Sequence, residues 1–466
     1  MEYSSLFSDN SKKKNLIIKE INNSKNYLEE ITLKNGFKVI LSQNNNEKIS
    51  ISIYLKNPPL YQTFLNSGIE NILLIYIKNL IIEKLSKNLS IDQDVKISIF
   101  ANKDLSKLSF LISQKKDIQY FLEIIGDSLI IENFDFNEIL KIKNQVTLDY
   151  SNLIKDKKLN LNQLLERHIF KTKNLQSFFY GNSLSLKLIK PDDVAQYYKE
   201  NFTIERLLLF VNGKIQKNDF KVEYFDQFEN KFKNSNNKEV EFERLSNKDF
   251  NNEPIFFQEN INDISFFSIF YRAPSFSNDE YFAYLIVLKF FEENLIKNTY
   301  ILEPPELLSN MLNITNYGTV LFSTKNRDIQ STLLSFKKIL DVQKRQFGYF
   351  TFYKDNSNDL VKDYKNQNEN KTFNITSSLD LENLKEKVYN DFNFNELDSE
   401  NKEIKFVSAY FLAGQIIDYV LIKEKIDSIT DKDLIKIFDN YFFNLSWGVL
   451  TNPETSKIIS KDFFYR

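Results

Sequence analysis

The chain has 466 residues, of which 42% are hydrophobic and 27% charged, a composition typical of a globular protein with at least two domains. Its 61 basic and 63 acidic residues leave a net charge of −2, so the positive excess typical of nucleic-acid binding is absent and we expect no nucleic-acid partner. The sequence contains no cysteine, which excludes disulfides, a thiol nucleophile and cysteine-ligated metals. His168 is the single histidine, so one copy of the chain cannot form a zinc site with two histidines.

Residues 1–26 are predicted to form an N-terminal extension. They lack a basic start followed by an apolar core, so we expect no secretory signal. The longest apolar runs of the chain are interrupted by charged residues before they reach the length of a membrane span. The sequence therefore predicts a cytoplasmic protein without a membrane-spanning segment.

The first half, residues 27–213, is predicted to begin with a β-hairpin over residues 27–43. Asn35-Gly36 is a strong short signal for its turn. Further elements are expected in this order: a strand over 49–56, a long helix over 67–84, a hairpin centred on 102–104, and helices near 117–131, 137–154 and 159–170. The long helix is apolar around most of its circumference, which indicates burial on nearly all sides. Its few polar positions, which we expect on a solvated side, are Glu70, Lys78, Asn79, Glu83 and Lys84.

The second half, residues 262–466, repeats the pattern of the first after a polar connector over residues 214–261. Eight positions align at a shift of 240: Ile189 with Ile429, Asp193 with Asp433, Val194 with Leu434, Tyr198 with Phe438, Phe202 with Phe442, Leu209 with Val449, Phe210 with Leu450 and Asn212 with Asn452. Four more align at a shift of 216: Ile53 with Ile269, Tyr54 with Phe270, Lys56 with Arg272 and Pro58 with Pro274. The matched order of elements, including a long helix over Tyr281–Lys297, predicts an internal duplication.

The succession of strand, loop, glycine and buried helix resembles the insulinase-type (pitrilysin, M16) zinc peptidases, whose signature His-x-x-Glu-His begins such a helix. With the family's glycine placed on Gly68, the two histidines fall on Asn71 and Ile75, and the glutamate base falls on Leu74. The resemblance implies an α+β fold of two homologous halves, each an antiparallel-rich sheet packed with helices. Because these vestigial motif positions lack the metal ligands and the base, we expect no zinc, no other cofactor and no catalytic residue.

Two further family positions can be placed by the same resemblance. The third zinc ligand, a glutamate on a later helix, would fall near Asp149, which we interpret as a helix-surface carboxylate. A substrate-binding arginine of the second half would correspond to Lys297, and Tyr300 follows too closely to be the tyrosine that accompanies it. Lysine lacks the planar fork of arginine, so a retained substrate contact at Lys297 would be weaker in geometry. His168, on a predicted helix, is interpreted as a structural or surface residue.

Two functional classes are consistent with these observations. In the first, the chain is an inactive peptidase homologue that forms a peptide-binding chamber with an active M16 subunit or by self-association. In the second, it is a stand-alone scaffold or binding protein on the same fold. Metal-independent hydrolysis by paired carboxylates has no supporting spacing, so the sequence favours the absence of enzymatic activity without deciding it.

Overall fold

The computed structural model describes residues 17–23, 26–56, 58–87, 95–170, 174–215, 219–220, 222–231, 253–259, 263–298, 301–309, 317–337, 339–340, 381–393, 397, 399–417, 419–442, 445–459 and 464. The chain forms two compact units, each assembled from three stretches of sequence. Unit 1 comprises Met1–Asn152, Thr172–Phe242 and Asn393–Asp418. Unit 2 comprises Leu153–Lys171, Glu243–Phe392 and Tyr419–Arg466.

The described residues of unit 1 form a seven-stranded sheet. Its strands are β1 (Ile17–Asn23), β2 (Asn26–Thr32), β3 (Lys38–Gln43), β4 (Ile49–Lys56), β5 (Lys96–Ala101), β6 (Leu105–Ile112) and β7 (Leu207–Gly213). They lie in the order β1-β2-β3-β7-β4-β6-β5, and the β3–β7 pair is parallel while the other described pairs are antiparallel. The predicted hairpin is confirmed as β2–β3, with Gly36 at φ 88° in its turn. The predicted N-terminal extension contributes β1, which pairs with β2.

Helices cover both faces of this sheet. They are α1 (Ile69–Ser86), α2 (Ile118–Ser128), α3 (Phe136–Leu153), α5 (Ser183–Leu188), α6 (Pro191–Asn201), α7 (Asp226–Lys231) and α11 (Glu400–Ala413). The alternation of β4 decides which of its residues meet which helices, because successive side chains point to opposite faces. Ile51 and Ile53 join the hydrophobic core that includes α1 and α2, whereas Ser52 and Tyr54 face α11.

The described residues of unit 2 form a five-stranded sheet. Its strands are β8 (Ile255–Gln258), β9 (Ile264–Arg272), β10 (Glu306–Ser309), β11 (Tyr317–Lys325) and β12 (Ser446–Thr451). Its helices are α4 (Lys157–Ile169), α8 (Tyr281–Asn298), α9 (residues 329–337), α10 (Leu381–Asp391), α12 (Tyr419–Asp427), α13 (Asp431–Tyr441) and α14 (Pro453–Ile458). The strand order is β10-β11-β9-β12-β8, and β12–β8 is parallel while the other described pairs are antiparallel.

The two sheets share one pattern of strand order and direction. Read from β8, the order β8-β12-β9-β11-β10 of unit 2 matches the order β3-β7-β4-β6-β5 of unit 1, with the parallel pair in the same place. The helix before each central strand also begins alike, because Asp193 in α6 and Asp433 in α13 both accept a hydrogen bond from the backbone N–H three residues earlier. The predicted α+β class with two halves is confirmed.

The compact units differ from the contiguous halves of the sequence prediction. Helix α4 comes from the first half but lies in unit 2, and α11 comes from the second half but lies in unit 1. The polar segment 214–261, expected to be a connector throughout, contains α7 and also β8, which pairs with β12. Sequence patterns locate elements along the chain, whereas the sheet on which a helix packs depends on long-range contacts. None of the helices in the described ranges is both long enough and apolar enough to cross a membrane.

Candidate functional site

The beginning of α1, where the insulinase-type signature would lie, has a fixed backbone. Gly68 precedes the helix at φ 90°, a conformation that side-chain-bearing residues rarely adopt. A Cβ atom at Gly68 would lie 2.8 Å from Gly181 Cα, so the two glycines allow close approach of two backbone segments. The Gly68 N–H donates to Gln62 Oε1 at 3.0 Å. Helix α1 therefore begins directly after Gly68, within the range that the sequence predicted for a helix.

The three signature positions are mostly buried. Leu74, with which the sequence alignment pairs the glutamate base, is 0% exposed, and Asn71 is 6% exposed. Ile75 is half-buried against the same hydrophobic core. Within the described residues there is no group of three or more histidine, cysteine, aspartate or glutamate side chains that could hold a metal ion. The aligned positions Leu74 and Ile75 thus take part in the hydrophobic core of unit 1.

The other predicted site residues lie apart from these positions. Asp149 is exposed on α3 and accepts a hydrogen bond from Gln145 Nε2 at 2.8 Å, one turn earlier. His168 is exposed near the end of α4 in unit 2. Lys297 lies in the last turn of α8, and its side chain is outside the described part, as is Tyr300. The described contacts of Asp149 run along its own helix and do not reach Asn71.

Glu70, which the sequence placed on a solvated side of the helix, is instead fully buried. Its Oε2 lies 2.7 Å from Arg206 Nη2 and accepts a hydrogen bond from Tyr197 OH at 2.5 Å, while Oε1 accepts from Ser106 Oγ at 2.6 Å. Arg206 also donates from Nη1 to the Asn201 carbonyl at 2.8 Å. The carboxylate of α1 is therefore shared among side chains of α6, β6 and the residue before β7.

Burial and charge together explain how these groups ionise. Burial is the main cause that raises the pKa of Tyr197 well above its ordinary value, and the Glu70 carboxylate raises it further. Burial, the largest single cause, would lower the pKa of Arg206, but Glu70, Tyr197 and Tyr61 together raise it by more, and the net shift is upward. Tyr197 thus stays neutral and Arg206 stays charged. An acidic residue in the first turn of an apolar helix, together with an arginine directly before an apolar strand, was the sequence signal for this buried pair.

A second buried network fastens α11 to the sheet of unit 1. Glu403 is 3% exposed and forms an ion pair with Lys107 Nζ at 2.9 Å. The Tyr54 hydroxyl donates to Glu403 Oε1, and Asn212 Nδ2 donates to Oε2 at 3.1 Å. Burial, followed by the charge of Glu403, raises the pKa of Tyr54 well above its ordinary value.

Both carboxylates are enclosed and each is shared among several donors. A general base needs a free lone pair within reach of the substrate's proton, and neither Glu70 nor Glu403 offers one to solvent. The two networks therefore hold elements together, and the geometry of the described residues around α1 supports packing rather than proton transfer or metal binding.

Comparison with solved structures shows the class of fold. The chain is similar to a protease from Helicobacter pylori, with a TM-score of 0.67 and 12% identity over 91% of this chain and 99% of that one. It is also similar to the first half of the periplasmic protease PqqL from Escherichia coli, with a TM-score of 0.66 and 13% identity over 94% and 95% of the two chains. Against PqqL as a whole the TM-score is 0.64 at 11% identity, covering 97% of this chain and 48% of that one.

At these identities the similarity shows the fold alone, and that fold is the two-half, insulinase-like one. This chain corresponds in length to about half of PqqL. The sequence itself matches no protein-family model and no curated protein.

Proposed function

We propose that this chain is a non-catalytic homologue of the insulinase-type peptidases, which acts as a partner subunit and forms a peptide-binding chamber with an active zinc peptidase. The observation that carries the proposal is Leu74, fully buried at the position of the catalytic base on a helix whose glycine start is intact. The chain has kept the fold while the helix aligned with the signature is apolar. This combination favours a chain selected for assembly with a partner over one selected to hydrolyse peptides. Because fold alone does not determine function, the proposal concerns the role of this chain and not its ancestry.

The metal of such a chamber would have to come from the partner. The single histidine of this chain is exposed on α4, and a two-histidine site requires a second imidazole. The peptide ligand would lie between this chain and the active subunit, or between two copies of this chain if it self-associates. The cytoplasmic location expected from the sequence is part of this proposal, although PqqL, to which the chain is similar, is a periplasmic protease.

The shared strand order of the two sheets supports an internal duplication as the origin of the two halves. Duplicated halves with a degenerate signature fit a subunit that kept its shape after the metal ligands were replaced. A stand-alone scaffold would share all these features, and the difference between the two roles is therefore the identity of what the chain binds.

The test is an affinity pull-down from native cells with the tagged chain as bait, followed by mass spectrometry. We expect recovery of a chain that contains His-x-x-Glu-His and chelator-sensitive peptidase activity in the eluate. The purified partner should then be assayed with and without this chain, which alone should be inactive. Recovery of unrelated proteins, or an unchanged activity on mixing, would contradict the partner role and favour the scaffold.

A further inference from the structure

The two halves of the sequence exchange one helix each. Helix α11 lies in unit 1, although α10 before it and α12 after it lie in unit 2. Helix α4 lies in unit 2, although α3 before it and α5 after it lie in unit 1. Each compact unit therefore contains a helix whose sequence neighbours fold elsewhere.

Helix α11 is held on unit 1 by buried polar contacts as well as by apolar packing. Lys107, on β6, is 3% exposed and has the Glu403 carboxylate as its buried counter-charge. The Phe406 ring packs on the ring of Phe210, with centroids 5.7 Å apart. Just before α11, the Leu397 carbonyl accepts hydrogen bonds from Asn44 Nδ2 at 2.7 Å and from Asn212 Nδ2 at 3.1 Å. Without the stretch around α11, this lysine would lose its buried ion pair, and the apolar side chains that α11 covers, Phe210 among them, would be exposed to water.

Helix α4 is held on unit 2 in a similar way. Its Asn162 Oδ1 accepts a hydrogen bond from Ser268 Oγ on β9 at 3.1 Å, and its Glu166 Oε1 accepts one from Tyr317 OH on β11 at 3.2 Å. Leu165 packs so closely on β12 that a Cβ atom at Gly448 would lie 3.0 Å from its Cδ2. The face of this sheet is thus shaped to a helix that the first half of the sequence supplies.

We propose that the parts of the chain before and after the segment 232–252 form an obligate noncovalent pair, each completing the other's sheet with one helix. The reason is the cost of separation, because removal of either helix would expose the buried apolar side chains of the sheet face that it covers and would break the hydrogen bonds and the ion pair that hold it there. A cut within segment 232–252 would consequently not release either part. The inference concerns assembly of this chain and does not depend on the proposed function.

The experiment introduces a site for a sequence-specific protease into segment 232–252 of the full-length protein. Cleavage is followed to completion on denaturing gels, and the product is analysed by native mass spectrometry and by capture through a tag on one fragment. The same two fragments co-expressed from a split gene, one of them tagged, provide the second route to the nicked protein. We expect both fragments in one particle of uncut mass. Capture of the tagged fragment alone, by either route, would overturn the proposal.

Two variants test the role of Glu403 in the nicked protein. Tyr54→Phe removes one donor to the carboxylate and should raise the dissociation constant of the fragments about 10- to 100-fold, since hydrogen bonds to charged groups are among the stronger ones. Glu403→Ala should raise it further, and the uncut variant shows whether the chain still folds. Glu424→Ala, at an exposed glutamate of α12, is the matched control and should leave the constant unchanged. Equal dissociation of the Tyr54→Phe and Glu424→Ala proteins would contradict the assignment to Glu403.

Discussion

The Arg206 guanidinium lies 2.7 Å from the Glu70 carboxylate, and both side chains are almost completely buried, at 2% and 0% exposure. This ion pair joins the first turn of α1 to the residue before the central strand β7. Glu70 directly precedes Asn71, the first position of the aligned signature. The start of the helix is therefore stabilised by charge compensation within the protein.

Removal of one member of this pair should strongly destabilise the protein. We expect Glu70→Gln or Arg206→Ala to lower the free energy of unfolding by about 3–5 kcal/mol, because the remaining partner stays buried without compensation. Urea unfolding followed by circular dichroism measures the change. Lys87→Ala, which removes an exposed pair with Glu83, is the control and should have little effect. Similar losses from the buried and exposed variants would show that the pair is not a stabilising contact.

Restoration of the signature by Asn71→His, Leu74→Glu and Ile75→His should destabilise the protein. Leu74 is fully buried, and a carboxylate there would lose its hydration without a partner, at a cost of at least several kcal/mol. Thermal unfolding with and without added zinc measures the effect. Ile75→His alone, at a half-buried position, should cost less. A triple variant as stable as the parent would show that these positions face an open chamber and that Leu74 is not packed in the core.

Gly68→Ala tests the backbone at the start of α1. We expect a loss of about 1–3 kcal/mol, because the residue has a positive φ and its Cβ would lie 2.8 Å from Gly181 Cα. Gly36→Ala is the matched control, since Gly36 has φ 88° but no atom within 4 Å of the added Cβ. The difference between the two variants isolates the steric contact, and equal losses would assign the whole effect to backbone conformation.

Stability should decrease in alkaline solution. Burial raises the folded-state pKa of Tyr54, Tyr197 and Tyr271 well above the ordinary value. Above about pH 10 the unfolded chain therefore binds fewer protons than the native one, so the free energy of unfolding falls as pH rises. Below about pH 10 this contribution is fully present. Urea midpoints at several pH values on both sides of that point measure the slope, and Tyr271→Phe should make it shallower; an unchanged slope in that variant would exclude Tyr271 as a cause.

The purified protein should not retain stoichiometric zinc. We expect this because Asn71 and Ile75, at the two aligned histidine positions, offer no imidazole to bind the metal. Exposure to zinc, desalting and elemental mass spectrometry give the metal content. His168→Ala is a useful companion, because it removes any weak binding at the exposed imidazole. A tightly bound equivalent of zinc in both proteins would contradict the alignment on Gly68.

Local sequence patterns predicted the elements well. The alternation of β4, the Asn35-Gly36 turn and the apolar helix α1 all lie where the residues placed them, because strand and helix periodicities are properties of neighbouring residues. The Glu70–Arg206 pair was missed, because residues 136 positions apart in the chain meet only after folding. The polar segment 214–261 was expected to be a connector throughout, and the strand β8 within it forms only by pairing with β12.

The sequence by itself determined the class of fold and the absence of two-histidine or cysteine-ligated metal chemistry within one copy. A single histidine and no cysteine settle that point regardless of how the chain folds. Only the tertiary structure decided that Glu70 is buried and paired, and that α4 and α11 lie on the sheet of the opposite half. These features depend on contacts between distant residues, whose energies arise from desolvation and close packing rather than from local periodicity.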